Sequence, residues 1–150
     1  MAFLSDDERN EIRKVFEQLR ADVKLVYFTD RDSPVFIPGE ECATCKDTRL
    51  LLEEVAALSD KLHLEIHEFA AGSELAREHG IERIPALVIS SDSVKGKVRY
   101  FGMPSGYEFS VLLGSIIDAS QGTAGLAEET IEALSGISAD VHIQVFVTPT

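Results

Sequence analysis

Both cysteines of the chain fall in one short run, Cys42-Ala43-Thr44-Cys45. Two thiols at this spacing can carry thiol-disulfide exchange. A thiolate, not a thiol, attacks a disulfide, and a cysteine at a helix N-terminus meets unpaired backbone N–H groups and the positive end of the helix dipole. These lower its pKa from about 8.5 into the range of roughly 3.5 to 7.5. An amphipathic helical pattern starts at the second cysteine, so Cys42 is the candidate nucleophile. Once a mixed disulfide has formed, a second thiol must displace the substrate, and an i, i+3 spacing on the first turn puts Cys45 beside Cys42. Cys45 is the candidate resolving thiol, more buried and less acidic. Glu40 and Glu41 would oppose thiolate formation if their side chains approached it, whereas Lys46 would favour it.

About forty residues later an Ile84-Pro85 step opens the strand-like Ala86-Leu87-Val88-Ile89. The cis form of an X-Pro bond lies only about 0.5 to 1 kcal/mol above trans, and a cis bond here would turn the chain sharply towards the sulfurs. Ile84 would then keep free backbone groups on which an extended substrate could pair as a short added strand. Ile84 and Pro85 are therefore the candidate substrate-binding residues. A trans proline opening an edge strand is the alternative.

Cys42-x2-Cys45-x17-His63-x3-His67 comes near a Cys2His2 zinc spacing. The intervening residues read as a long helix, however, and the histidines fall on an alternating strand, so no metal is assigned. The chain has no Gly-rich phosphate loop after a strand and no Gly-x-Ser-x-Gly, and its carboxylates are too scattered to single out a catalytic pair.

With 150 residues, 45% hydrophobic and 27% charged, the chain can bury a core without staples. The N-terminus has no basic n-region followed by an apolar stretch, and no run is long enough to cross a bilayer, which reads as a cytoplasmic protein. In a reducing compartment a lone cysteine pair is rarely a structural staple, and a bridge closing so short a loop would restrict the unfolded chain little. The net charge of −12 and pI near 4.7 argue against nucleic acid or an anionic membrane as partner.

The elements that must position these residues follow from the pattern. Ser5-x-x-Glu8 reads as a capping box, and Ile12, Val15, Phe16 and Leu19 put a helix over residues 6 to 20. Val23 to Phe28 is a strand, and Thr29 to Glu41, with Pro34, Pro38 and Gly39, is a loop that delivers the cysteines to that strand's end. A helix from Cys45 carries Thr48, Leu51, Leu52, Val55 and Leu58 on one face. Leu62, Leu64 and Ile66 alternate as a strand. Ser73 to His79 is a short helix stopped by Gly80. Ala86 to Ile89 and Lys97 to Phe101 form a hairpin, and Tyr107 to Ser120 is a helix ended by Gly122.

The cysteine pair, the Ile84-Pro85 step and this α-β-α-β-α-β-β-α order from residue 5 to 122 resemble the thioredoxin fold. More closely, the chain is similar to the glutaredoxin-like protein disulfide oxidoreductases of thermophilic archaea and bacteria. These are built of two such units in tandem and place a helix before the first strand. The resemblance implies an α/β fold with a central mixed sheet flanked by helices, exchange by Cys42 and Cys45, and a cis Pro85 beside them. It implies no metal and no bound cofactor. An acid assists the buried cysteine in thioredoxins, and Asp30 ends the first strand here, but the longer loop is expected to break that alignment. Ala43-Thr44 matches neither the Gly-Pro of thioredoxins nor the Pro-Tyr of glutaredoxins.

Shifting the chain by 118 places Ala21-Asp22-Val23 on Ala139-Asp140-Val141, Leu25 on Ile143, Phe28 on Phe146 and Leu19 on Ile137. The expected organisation is a thioredoxin-like unit at 1–122 and, at 123–150, the opening helix and strand of an incomplete second one. That segment is expected to dock on the first unit with its strand extending the sheet, or to be shared between two copies in a homodimer.

Two functions follow from the resemblance. One is a protein-disulfide oxidoreductase acting on protein disulfides, with a thioredoxin-reductase-like protein as candidate electron donor. The other is a redox-silent docking module of a larger disulfide oxidoreductase. The flavoprotein of alkyl hydroperoxide reductase has a comparable N-terminal tandem, but its redox cysteines belong to the second unit, which counts against that family.

Overall fold

The computed structural model describes residues 3–31, 42–123 and 125–147. The first helix, α1 (Asp6–Phe16), starts on the expected box: the Glu8 N–H donates to Ser5 Oγ at 3.3 Å and the Ser5 N–H to the Glu8 carboxylate at 2.8 Å. It stops at Phe16, four residues early, because the chain tightens into a turn in which the Leu19 N–H donates to the Phe16 carbonyl at 3.1 Å. That turn still buries Leu19.

β1 (Val23–Thr29) is followed by α2 (Cys45–Ala56), β2 (Leu62–Glu68), α3 (Glu74–His79), β3 (Ala86–Ser90), β4 (Val98–Phe101), α4 (Tyr107–Gln121) and α5 (Glu128–Ser135). The four strands form one sheet in the order β2-β1-β3-β4, with β1 parallel to β2 and antiparallel to β3, and β3 antiparallel to β4. This is the expected mixed sheet.

β1 lies at its centre, and its side chains alternate between two apolar layers. Val23, Leu25 and Tyr27 face the core built from α1, α2 and α4, while Val26 and Phe28 face a smaller cluster with Ala76 and Ile81 beside α3. One buried polar residue locks this arrangement from below. Ser120 Oγ accepts from the N–H groups of Arg20 (2.8 Å) and Ala21 (3.0 Å) and donates to the Ala21 carbonyl (2.6 Å), joining the end of α4 to the start of β1.

The last segment departs from expectation. Helix α5 is present, but residues 141–147 form no strand, and every described residue from 125 to 147 is exposed. The docked arrangement, with a further strand extending the sheet, is therefore corrected. An isolated run with no neighbour to satisfy its backbone and no layer to cover its apolar face gains nothing from becoming a strand. Among the described residues no helix is long and apolar enough to cross a membrane.

Candidate redox site

The site grows from the end of β1 and the start of α2. Thr44 stands at the N-cap of α2 without a side-chain cap, and Thr48 Oγ1 donates instead to the Thr44 carbonyl at 2.7 Å. The N–H groups of Lys46 and Asp47 have no hydrogen-bond partner among the described residues, and the positive end of the helix dipole lies beside the cysteines. Cys42 lies just outside this end and Cys45 is the first helical residue, joined in a disulfide with a Cα–Cα distance of 5.4 Å. Cys45 is buried and Cys42 half-buried, the order of accessibility the sequence suggests for a resolving and an attacking thiol.

Two residues not assigned to the site from sequence meet the pair. Tyr27, fully buried on β1, donates its phenolic hydroxyl to the Cys45 carbonyl at 2.7 Å and so ties the first turn of α2 to the central strand. Burial raises the phenol's pKa, against a smaller opposing effect of the Thr29 and Thr48 hydroxyls, so it stays a neutral donor. The signal in the sequence was a polar-tipped aromatic in an otherwise apolar strand.

Asp30 is the second. Its carboxylate and the two sulfurs all lie within 4.8 Å of one another, and Thr29 Oγ1 donates to Oδ1 at 3.1 Å. The long loop does not break the alignment, because β1 ends at Thr29 and Asp30 leaves the sheet directly beside the disulfide. Glu40 and Glu41 lie outside the described residues, and the Lys46 side chain is exposed.

The Ile84-Pro85 bond is cis. The register pairs Phe28 with Ala86, which brings Pro85 to the end of β1 that carries Thr29 and Asp30. The Pro85 carbonyl is taken by the Gly102 N–H at 2.9 Å. Ile84 is half-buried, and neither of its backbone groups has a hydrogen-bond partner among the described residues.

The histidines of the zinc-like spacing sit elsewhere. His63 Nε2 lies 3.4 Å from Asp22 Oδ2, and His67 Nε2 lies 3.6 Å from the Glu65 carboxylate with its ring against Phe28. Neither belongs to the group formed by Asp30, Cys42 and Cys45.

A thioredoxin-domain family model matches residues 34–114, more than half of the chain and both cysteines. The chain belongs to the thioredoxin-domain family. This thioredoxin domain is 27% identical to a protein disulfide oxidoreductase from Aeropyrum pernix K1, with a TM-score of 0.72 over 91% of the chain and 56% of that protein. It superposes on the alkyl hydroperoxide reductase AhpF of Enterococcus faecalis V583 with a TM-score of 0.71 at 19% identity, over 89% of the chain and 61% of that one. Among curated relatives, the Xanthomonas campestris pv. phaseoli counterpart of that reductase protein is 25% identical over 107 residues, 71% of this chain. A Bacillus subtilis strain 168 NADH dehydrogenase is 22% identical over 121 residues, 81% of this chain. The domain spans 18% and 21% of these two relatives. A protein disulfide oxidoreductase and an alkyl hydroperoxide reductase protein, the two families named from the sequence, thus both stand among the similar proteins.

Proposed function

We propose that Cys42 and Cys45 are a dithiol-disulfide exchange centre acting on protein disulfides. In the reduced form the Cys42 thiolate attacks one sulfur of a substrate disulfide; a Cys42–substrate bond forms, and the other substrate sulfur leaves as a thiolate that takes up a proton. Cys45 then loses its proton, for which the Asp30 carboxylate is the nearby acceptor, and its thiolate attacks Cys42 Sγ; the Cys42–substrate bond breaks, and the substrate sulfur held there leaves as a thiolate that is protonated in turn. Two electrons pass to the substrate and the protein is left with the Cys42–Cys45 disulfide; the reverse sequence oxidises a dithiol. Ile84 and Pro85 hold the substrate, with the Ile84 backbone, which has no partner among the described residues, as the place where an extended segment adds on.

The observation that carries this reading is the disulfide at the N-terminus of α2, with Asp30 and the cis Pro85 at the same end of the sheet. Residues 123–150 are, in this reading, the opening of a second thioredoxin-like unit, supported by the 118-residue repeat and by α5. Partners are protein disulfides and a thioredoxin-reductase-like electron donor, with a homodimer through 123–150 as the route by which the exposed apolar residues there become covered. The setting is the cytoplasm. The test is insulin reduction by dithiothreitol. The chain is expected to accelerate it, Cys42→Ser to abolish the acceleration and Cys45→Ser to accumulate mixed disulfides. No acceleration by the unaltered chain would return the redox-silent docking module.

A further inference from the structure

Resting on the exchange reading, we propose that the reduced site is also a redox-gated binding site for a thiophilic divalent cation such as Zn2+ or Cd2+, held by Cys42 Sγ, Cys45 Sγ and the Asp30 carboxylate. Three ligand atoms of the right types already lie within 4.8 Å of one another. Two of the three are held on packed structure: Asp30 by the end of β1 and the Thr29 hydroxyl at 3.1 Å, and Cys45 by the first turn of α2, where Tyr27 donates to its carbonyl at 2.7 Å. Two thiolates and a carboxylate suit a borderline or soft ion and not Mg2+ or Ca2+, which prefer oxygen. Cys42 and Asp30 are only half-buried, so the fourth place of a tetrahedral ion faces solvent, where a water or an incoming thiol can occupy it.

The disulfide leaves only Asp30 as a ligand, so the site exists in one redox state. A dithiol reductant supplies two electrons and two protons to give two thiols; the cation then replaces both thiol protons, and no electron moves to the metal. Because the ion binds only the reduced form, it stabilises that form and makes the couple more oxidising. Each tenfold rise in free metal above the dissociation constant shifts the potential by about 30 mV. Bound metal also blocks Cys42, so the same ion inhibits exchange.

The test uses the full chain, reduced to two titratable thiols, freed of reductant and titrated anaerobically with Cd2+ alone, following the sulfur-to-metal absorption in the near ultraviolet. One Cd2+ per chain is expected in the reduced form and no such band in the oxidised form. Asp30→Asn is expected to weaken binding by about tenfold or more. X-ray absorption at the edge of bound Zn2+ should show two sulfurs per ion with oxygen completing the shell, a reading that does not depend on the variant folding. A reduced form that binds no better than the oxidised one, an Asp30→Asn affinity equal to that of the unaltered chain, or a four-sulfur shell shared between chains would overturn the proposal. If the pair equilibrates with dithiothreitol but zinc leaves its potential unmoved, this inference fails alone; if the pair does not equilibrate at all, the exchange reading fails with it.

Discussion

The chain writes the same helix-strand pattern twice, 118 residues apart, and only the first copy becomes a packed structure. Leu25 and Phe28 on β1 are 0% and 1% exposed, whereas their counterparts Ile143 and Phe146 are 81% and 89% exposed. α1 buries Ile12 and Phe16 and starts on a reciprocal capping box; α5 buries nothing, and its N-cap, Ala127, has no side chain able to cap it. The apolar spacing is similar. What differs is company: β1 has a strand on each side and an apolar layer on each face, and residues 141–147 have neither. A short helix can satisfy its own backbone, but a strand is defined by its neighbours, so alternation in sequence specifies which face would be buried and not whether it is.

The contrast breaks most visibly in the cores. Leu25→Ala is expected to cost about 2 to 5 kcal/mol in urea unfolding through the cavity it leaves. Ile143→Ala should stay within about 0.5 kcal/mol of the unaltered chain. Comparable losses at both positions would mean that the second copy is packed after all.

Buried polar links give the next largest effect. Ser120→Ala removes the hydroxyl that serves the Arg20 and Ala21 N–H groups and the Ala21 carbonyl, and is expected to cost about 0.5 to 1.5 kcal/mol through the loss of these part-buried hydrogen bonds. Ser135, whose hydroxyl donates to the Glu132 carbonyl on exposed α5, should be replaceable by alanine with no shift of the unfolding midpoint.

Helix caps come next. Ser5→Ala should lower global stability by about 1 kcal/mol. Ala127→Asp should raise the far-ultraviolet helix signal without moving the unfolding midpoint, because α5 is not coupled to the core. Smallest of all, ending the chain after Gly122 should change the stability of the first unit by less than about 0.5 kcal/mol. A clear loss would show that 123–150 contributes contacts within the chain, whereas a drop from dimer to monomer in sedimentation is the change expected of a homodimer joined through these residues.

The first unit was legible because its punctuation is strong. The Ser5/Glu8 box, Gly80 and Gly122 after their helices, and Pro85 before β3 each mark an element boundary for a local physical reason, and the element order followed from them; the pairing of Cys42 with Cys45 was legible in their spacing at a helix start, and the cis bond in the thioredoxin-like context. What was illegible depends on distant neighbours. The role of Tyr27 exists only because α2 starts above its hydroxyl, and Asp30 was set aside on loop length when the deciding fact is where β1 ends. The failure of 141–147 to form a strand has the same origin, since nothing local distinguishes it from β1.

Whether Cys42 is an activated thiolate in a dithiol-disulfide exchange site is read from the pH dependence of alkylation in the reduced chain. Mass spectrometry can assign each adduct to its cysteine. Cys42, at the N-terminus of α2, should react first and show a midpoint clearly below the value of about 8.5 for a free cysteine, with Cys45 slower throughout. A Cys42 midpoint near that free-cysteine value, or faster alkylation of Cys45, would mean that Cys42 is not the activated thiol.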